Sequence, residues 1–286
     1  MFADLHLHTT ESDGTWTPEQ LVKQARLVGL AAIAITDHDT TGGIAAALKH
    51  APQRLEVIPG IELSTVAEGG EEVHMVGLWI NPHYEPLQEE LTALRAARID
   101  RIDEILARLD DLGISLTQGD VLNFATRDVV SRSHIASALV EKGVVTSKKE
   151  AFDAFLGRGA PAYVERRKLR PERAIALIIQ SGGMPVLAHP GLLRDLTMLP
   201  SLKKAGLVGI EVVHHSHTPE QTKHFLSLAD ELKLLPSGGS DCHGPKGKDA
   251  IYIGTYKIPW KWLEDLARAR EGSRQRPSCR LFPAGH

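Results

Sequence analysis

The amino-acid sequence places histidines and carboxylates at short, regular spacings, and the first group lies near residue 1. His6 and His8 alternate with leucines in the stretch Asp4-Leu5-His6-Leu7-His8, and Asp13 follows five residues later. Alternate residues of a strand point to one face, so His6 and His8 should share a face with Asp4 while the leucines take the other. Buried imidazoles bear a desolvation cost unless something binds their nitrogens, which makes the pair a candidate for metal ligation. Two structural histidines on an edge strand are the alternative.

Similar residues recur near the ends of other predicted strands, as at His38 and His189. Asp241 and His243 repeat the i, i+2 spacing of the first pair, which turns Cys242 to the opposite face. The carboxyl ends of parallel barrel strands converge on one face, so these scattered side chains are predicted to form a single cluster. The predicted members are His6, His8, Asp13, His38, Glu62, His74, His189, Asp241 and His243.

This number of ligand-type groups exceeds the four ligands that a tetrahedral zinc ion takes. It suits two or three ions bridged by carboxylates. Imidazoles and carboxylates without thiolates favour manganese, iron or zinc over calcium. Two such ions about 3.5 to 4 Å apart can hold a hydroxide as nucleophile and neutralise the attacking and leaving oxygens of a phosphoryl displacement. The residues therefore predict metal-dependent phosphate chemistry.

The elements that would position this cluster are seven predicted strands, most of them joined by helices. An apolar strand at 30–35 is typical of a parallel sheet with both faces buried. The strand at 73–79 differs, because it carries His74 at its start and requires a hairpin return from the strand before it. The pattern predicts an α/β barrel.

A helical segment interrupts this alternation. Apolar residues recur at steps of three and four from Pro86 to about Leu112, which predicts a long amphipathic helix, and shorter helices are predicted at 133–143 and 148–157. We therefore expect barrel segments at 1–86 and 165–286 and a helical insertion at 87–164 that covers the substrate.

The composition of the chain argues against some classes of binding partner. Charged residues make up 24% of the 286 residues and the net charge is -3, which argues against duplex nucleic acid or an anionic membrane as the main partner. Cys242 and Cys279 are too few for a disulfide framework, and no signal-peptide pattern precedes the first strand. The longest apolar runs are only strand-length, so no membrane span is predicted and a cytoplasmic location is expected.

Taken together, these motifs resemble those of the polymerase and histidinol phosphatase (PHP) family of metal-dependent phosphoesterases. Within that family they are most similar to the branch of 3',5'-nucleoside bisphosphate phosphatases and 5'-3' exoribonucleases. The resemblance implies a distorted seven-stranded (β/α)7 TIM-like barrel with a trinuclear metal site. The motifs that carry it are His6-Leu7-His8, Asp13-Gly14, Thr36-Asp37-His38-Asp39, Gly60-Ile61-Glu62, His74, Leu187-Ala188-His189-Pro190 and Gly239-Ser240-Asp241-Cys242-His243.

The same resemblance distributes the ligands among three ions and names Mn²⁺ as the first choice, with Fe²⁺, Zn²⁺ or Mg²⁺ as alternatives. Glu62 would bridge two of the ions. The set Asp13, His38 and His243 would also be catalytic. The implied ligand sets are His6, His8, Glu62 and Asp241 for the first ion, Asp13, His38 and His243 for the second, and Glu62, His74 and His189 for the third.

Arginines of the insertion are candidates for holding substrate. Arg95, Arg98 and Arg101 recur every third residue, and guanidinium groups bind phosphate through paired hydrogen bonds. A solvated basic face paired with neighbouring carboxylates is the alternative. The resemblance implies that Arg98, Arg101, Arg132 and His134 hold substrate phosphate, although Ser131 and Ser133 replace the glycine and proline usual in the Gly-Arg-Pro-His element.

The predicted function is hydrolysis of the 5'-phosphate of small nucleotides such as 3',5'-nucleoside bisphosphates, with 5'-3' trimming of short single-stranded RNA as an extension. Histidinol phosphatase or another small phosphomonoesterase is the alternative, and a catalytically silent, metal-stabilised module is a third. No membrane and no obligate protein partner are expected. His214, His215 and His217, next to Glu211, are interpreted as surface histidines or as groups that support the ligands or the leaving group.

Overall fold

The computed structural model describes residues 1–124, 132–165, 169–245 and 252–274. In these ranges the strands form one sheet in the spatial order β7-β6-β5-β4-β3-β2-β1-β8. The strands are β1 (Phe2–Asp4), β2 (Ala32–Ile35), β3 (Glu56–Val66), β4 (Glu72–Leu78), β5 (Met184–Leu187), β6 (Gly209–Val213), β7 (Leu235–Gly238) and β8 (Ile258–Pro259).

The sheet closes where the chain continues beyond β1 and β7. The Leu5 N–H donates to the Gly238 carbonyl over 3.2 Å, and the Asp241 N–H donates to the His6 carbonyl over 2.9 Å. Leu7 and Cys242 form a parallel bridge beyond these bonds. Seven strands thus form a barrel, as predicted. Strand β8 is a short addition that pairs antiparallel with β1.

Strand direction follows the prediction. β1, β2 and β3 are parallel neighbours, as are β5, β6 and β7, whereas β4 is antiparallel to both β3 and β5. The expected hairpin return of β4 is therefore confirmed. β3 extends further than predicted, because its antiparallel pairing with β4 continues from Gly60 to Val66, and Glu62 consequently lies inside the strand.

Helices connect most of these strands. Thr17 and Thr218 cap their helices with the predicted capping boxes. Among the described helices, none has the length and apolar character that crossing a bilayer requires. The helices are α1 (Pro18–Leu27), α2 (Gly42–His50), α3 (Glu85–Asp111), α4 (Gln118–Leu122), α5 (Arg132–Glu141), α6 (Lys148–Ala151), α7 (Pro171–Gln180), α8 (Leu199–Ala205), α9 (Pro219–Leu232) and α10 (Trp260–Arg274), with a π-turn at Phe152–Leu156 and a 3-10 turn at Pro190–Leu192.

The apolar core has an inner and an outer layer. Ala32 and Ala34 of β2 lie in the inner cluster, whereas the alternating Ile33 and Ile35 pack in the cluster that includes α1, α2 and α7. Leucines of α10 join the inner cluster. Helix α10, which the sequence reasoning did not predict, therefore covers the end of the barrel at which the strands begin. The predicted weakly ordered tail falls mainly at 275–286, outside the described residues.

Helix α3 confirms the predicted long helix and links two cores. Leu87 and Leu91 pack with the barrel helices, whereas Ile105 and Leu109 pack in a separate cluster that extends to Val164. The segment after α3 thus has an apolar core of its own. The boundaries at residues 87 and 164 stay a prediction.

The alternation predicted for residues 4–8 does not continue through the whole stretch. Leu5 packs in the inner cluster and Leu7 in the outer cluster, although alternation would give them one face. Asp4 is turned away and accepts hydrogen bonds from the Ser240 N–H and hydroxyl at 2.8 and 2.7 Å. Burial raises the pKa of this Asp4 carboxyl to about 6. The strand is irregular where it meets the chain after β7.

Candidate metal centre

The predicted ligands gather at the end of the barrel where the parallel strands finish, with the Glu62 carboxylate at their centre. Glu62 is fully buried. Its Oε1 lies 2.8 Å from His74 Nδ1 and 2.9 Å from His189 Nε2. Its Oε2 lies 3.2 Å from His6 Nε2, 3.3 Å from His8 Nε2 and 2.9 Å from His38 Nδ1. One carboxylate therefore contacts imidazoles from five different positions of the chain.

Among the described residues, five groups of ligand-type atoms are compact enough to hold a cation, with their atoms within 4.8 Å of one another, and three of these groups consist entirely of predicted ligands. The first has the four residues implied for the first ion. The second adds His8 to those implied for the second ion. The third contains His38 where the resemblance implies His189. The groups are His6, His8, Glu62 and Asp241; His8, Asp13, His38 and His243; and His38, Glu62 and His74.

Several atoms of the centre lack the partners that buried polar atoms normally have. In the described part of the chain, His6 Nε2, both ring nitrogens of His8, Glu62 Oε2 and Asp241 Oδ1 are buried and make no hydrogen bond, although carboxylates and imidazoles face each other at ion-pair distance. A buried polar atom without a hydrogen bond costs free energy, and such atoms converging on one point indicate a cation-binding position. The donor set therefore fits divalent metal ions.

The charges of the cluster lead to the same conclusion. Burial alone would raise the carboxyl pKa values, but the surrounding imidazoles hold the pKa of Glu62, Asp241 and Asp13 below the usual range. Although burial lowers imidazole pKa values, the carboxylates raise the pKa of His74 to about 10 and that of His243 to about 9. The carboxylates thus require compensating positive charge, which protons or divalent cations can supply.

Backbone geometry is unusual at the same place. His189, Asp241 and Asp39 have φ values of 29°, 53° and 51°, in the left-handed region that residues with a Cβ seldom adopt. Such conformations persist where the surrounding contacts impose them, and they occur most often at functional sites. The backbone conformation at these three residues therefore sets the direction of their side chains.

The predicted substrate residues lie in two environments. Arg98 Nη2 donates to Asp39 Oδ2 over 2.7 Å, and Asp39 directly follows the predicted ligand His38 in sequence. Arg101 Nε and Arg132 Nη1 donate to backbone carbonyls of the insertion, at 2.9 and 3.0 Å. Their predicted contact with substrate, and that of the half-buried His134, stays a prediction.

Side chains that the predicted ligand set omitted also contact the centre, and two of them, Glu211 and His214, are almost fully buried. Glu211 Oε1 lies 2.8 Å from His6 Nδ1, and His214 Nε2 lies 3.3 Å from Asp241 Oδ2. A carboxylate inside the apolar stretch Gly-Ile-Glu-Val-Val was the signal available in the sequence, since such a residue is seldom buried without a partner.

Comparison with known proteins places this geometry in a family. The PHP domain family model matches residues 4–143. The 3',5'-nucleoside bisphosphate phosphatase of Chromobacterium violaceum is 36% identical, over 91% of this chain and 96% of that relative. The chain belongs to the PHP family. The 5'-3' exoribonuclease Rnm of Escherichia coli is 37% identical over 85% of each chain.

A solved structure agrees with the fold. The structure described as a metal-dependent phosphoesterase of Bifidobacterium adolescentis superposes with a TM-score of 0.79 at 33% identity, covering 94% of this chain and 96% of that one. The PHP chain described here is thus an enzyme, a metal-dependent phosphoric ester hydrolase. The predicted family and activity class are confirmed.

Proposed function

We propose that the enzyme hydrolyses the 5'-phosphate of small nucleotides that carry a second phosphate, such as 3',5'-nucleoside bisphosphates, with two or three divalent cations at the cluster around Glu62. Mn²⁺ is the first choice for a mixed imidazole and carboxylate set. The observation that supports the proposal is the hydrogen bond from Arg98 to Asp39, the residue that directly follows His38 of the cluster. A metal centre and a fixed guanidinium group side by side suit a substrate with two anionic groups.

The cations would supply an activated water as nucleophile and neutralise charge on the phosphoryl oxygens. The side chains fix where this occurs. Glu62 belongs to two of the three candidate groups, and His8 and His38 each belong to two as well. Shared ligands hold neighbouring cation positions at a fixed separation. Asp13 lies 3.1 Å from His243 Nε2 and is partly exposed, so this group forms the side of the centre that substrate can approach.

Arg98 would recognise the second phosphate. Asp39 is buried, and its two carboxylate oxygens accept from the Ser64 N–H at 2.9 Å and from Arg98 Nη2 at 2.7 Å. The carboxylate therefore holds the guanidinium group at the mouth of the barrel. Guanidinium groups have five N–H donors and bind phosphate through paired hydrogen bonds.

Relatives support the substrate class. One is named for nucleoside bisphosphates and another for RNA cleaved from its 5' end, and both substrates carry neighbouring phosphates on ribose. Trimming of short single-stranded RNA would use the same two positions. The scissile phosphodiester would lie at the cations and the next phosphodiester in the 3' direction at Arg98, so that cleavage releases the 5'-terminal nucleotide. The barrel opening would then admit a chain rather than a single nucleotide.

A product assay tests the proposal. Purified protein is analysed for metal content, reloaded with Mn²⁺, and incubated with adenosine 3',5'-bisphosphate, adenosine 5'-monophosphate, histidinol phosphate or a 5'-phosphorylated RNA trimer. We expect the bisphosphate to be preferred over the monophosphate by at least about tenfold in kcat/KM, corresponding to one charge-assisted hydrogen bond. Release of the 3'-phosphate would overturn the choice of phosphate. A marked preference for histidinol phosphate would favour the alternative activity.

A further inference from the structure

Strand β6 contributes no side chain to the predicted ligand set, yet one residue of β6 and one residue just after it contact members of that set. Glu211 lies within β6 and His214 directly follows it. Both are about 1% exposed. Their polar atoms point at three predicted ligands, His6, His189 and Asp241, which come from three other parts of the barrel.

Glu211 binds two of these residues with its two oxygens. Oε1 lies 2.8 Å from His6 Nδ1, and Oε2 accepts the backbone N–H of His189 over 2.7 Å. A backbone N–H is always a donor, so Oε2 is an acceptor, and Oε1 in the same carboxylate faces the ring nitrogen of His6 as an acceptor too.

This arrangement assigns the proton of His6. With Nδ1 donating to Glu211, Nε2 is the ring nitrogen left to face the predicted ligands, 3.2 Å from Glu62 Oε2 and 3.4 Å from Asp241 Oδ1. Carboxylates that bind the outer nitrogen of a histidine fix its ring orientation and tautomer for metal binding. The same Glu211 also holds the backbone of His189 in its left-handed conformation.

His214 orients Asp241 in the way that Glu211 orients His6. The Ser216 N–H donates to His214 Nδ1 over 3.1 Å, so the ring proton is on Nε2, which faces Asp241 Oδ2 at 3.3 Å. Asp241 Oδ1 faces the cluster, 2.9 Å from His8 Nε2. One oxygen of Asp241 is thereby committed to His214 and the other to the cation position.

We propose that Glu211 and His214 are positioning residues that prepare His6, His189 and Asp241 for cation binding without ligating the cation themselves. The inference rests on the proposed metal centre. The atoms of His6, Glu211 and His214 also lie close enough to hold a cation of their own. The short contact between His6 Nδ1 and Glu211 instead places a proton there, and a cation would have to displace it.

Mn²⁺ titration of the metal-free protein, followed by calorimetry and without substrate, tests this division. Glu211→Gln preserves volume but sets an amide NH₂ against either His6 or His189. His214→Leu removes the donor to Asp241, and His214→Gln restores a donor. The matched control is Glu90→Gln, a half-buried carboxylate that pairs with Arg173 between two outer helices.

We expect Glu211→Gln and His214→Leu to weaken Mn²⁺ binding by about 10- to 100-fold while the number of ions bound at saturation stays that of the wild type. His214→Gln should recover part of the loss, and the control should bind normally. Circular dichroism of each metal-free variant should match the wild type. If Glu211→Gln fails to fold, the two His214 variants carry the test.

Wild-type affinity in both Glu211→Gln and His214→Leu would overturn the proposal. One ion fewer at saturation would make these residues ligands and would overturn it as well. Equal losses in His214→Leu and His214→Gln would show that packing, not the donor, matters. A wild-type protein that binds no divalent cation would instead refute the proposed function, so the two failures are distinguishable.

Discussion

Replacing Arg98 by alanine should remove the preference for a second phosphate. Arg98 is 21% exposed and donates to Asp39, which is 2% exposed. A hydrogen bond to a charged group contributes about 1.5 to 3 kcal/mol. At about 1.36 kcal/mol per tenfold, this corresponds to a loss of about 13- to 160-fold in kcat/KM for the bisphosphate. Partial exposure places the expected loss at the lower end, about tenfold, while kcat/KM for the 5'-monophosphate should change little.

Phosphate release from both substrates, measured over a range of concentrations, gives the ratio. Arg95 is the matched control, since it lies on the same helix, is exposed, and contacts Thr92. Arg95→Ala should leave the ratio unchanged. Because Arg98→Ala removes a partner of buried Asp39, the double variant with Asp39→Asn separates a stability defect from a recognition defect. Equal loss of kcat/KM on both substrates in Arg98→Ala would refute the assignment.

Three other predictions follow from the same geometry. Asp13→Ala or His38→Ala should lower turnover at least about 1000-fold, since several kcal/mol of metal-assisted stabilisation is lost, while circular dichroism stays near wild type; substantial turnover in both would remove them from the centre. Dialysis against a chelator should abolish phosphate release and lower the melting temperature, and added Mn²⁺ should restore both, since ligands that bind only the folded state stabilise it. Unchanged phosphate release and melting temperature after dialysis would contradict the metal dependence. Cys242→Ala should retain turnover. Burial raises the pKa of the Cys242 thiol to about 11, so mass spectrometry of the wild type should find Cys242 unmodified by iodoacetamide at pH 8. Rapid labelling of Cys242 would contradict its burial.

Much of the centre was predictable because its ligands follow local rules. The i, i+2 pairs at His6 and at Asp241 need only the two-residue period of a strand. Parallel strands bring their ends to one face without any knowledge of packing, which gathers His38 and His189 with them. Even the hairpin that carries His74 followed from its position at the start of a strand.

Other features depend on distances across the barrel, which no local pattern contains. Glu211 bonds to His6 because β6 and the chain after β1 face each other, and spacing along the sequence does not reveal this. The two-residue strand β8 is too short to show a periodic pattern in the sequence. Leu5 leaves the expected face where the last residue of β7 pairs with it. Glu62 lies inside β3 because of its antiparallel partner.

Closure of the barrel between β1 and β7 determines when the complete centre can form. Asp4 bonds to Ser240 across 236 positions of sequence, and His6 bonds to Glu211 across 205. During synthesis, the first histidines therefore leave the ribosome long before the residues that complete their cation positions. Contacts of such long range form late, because loop-closure entropy must be overcome first. We therefore expect cation loading to be a late step of folding, since a chain halted before residue 241 would contain most of the ligands but would lack a member of the first and second groups.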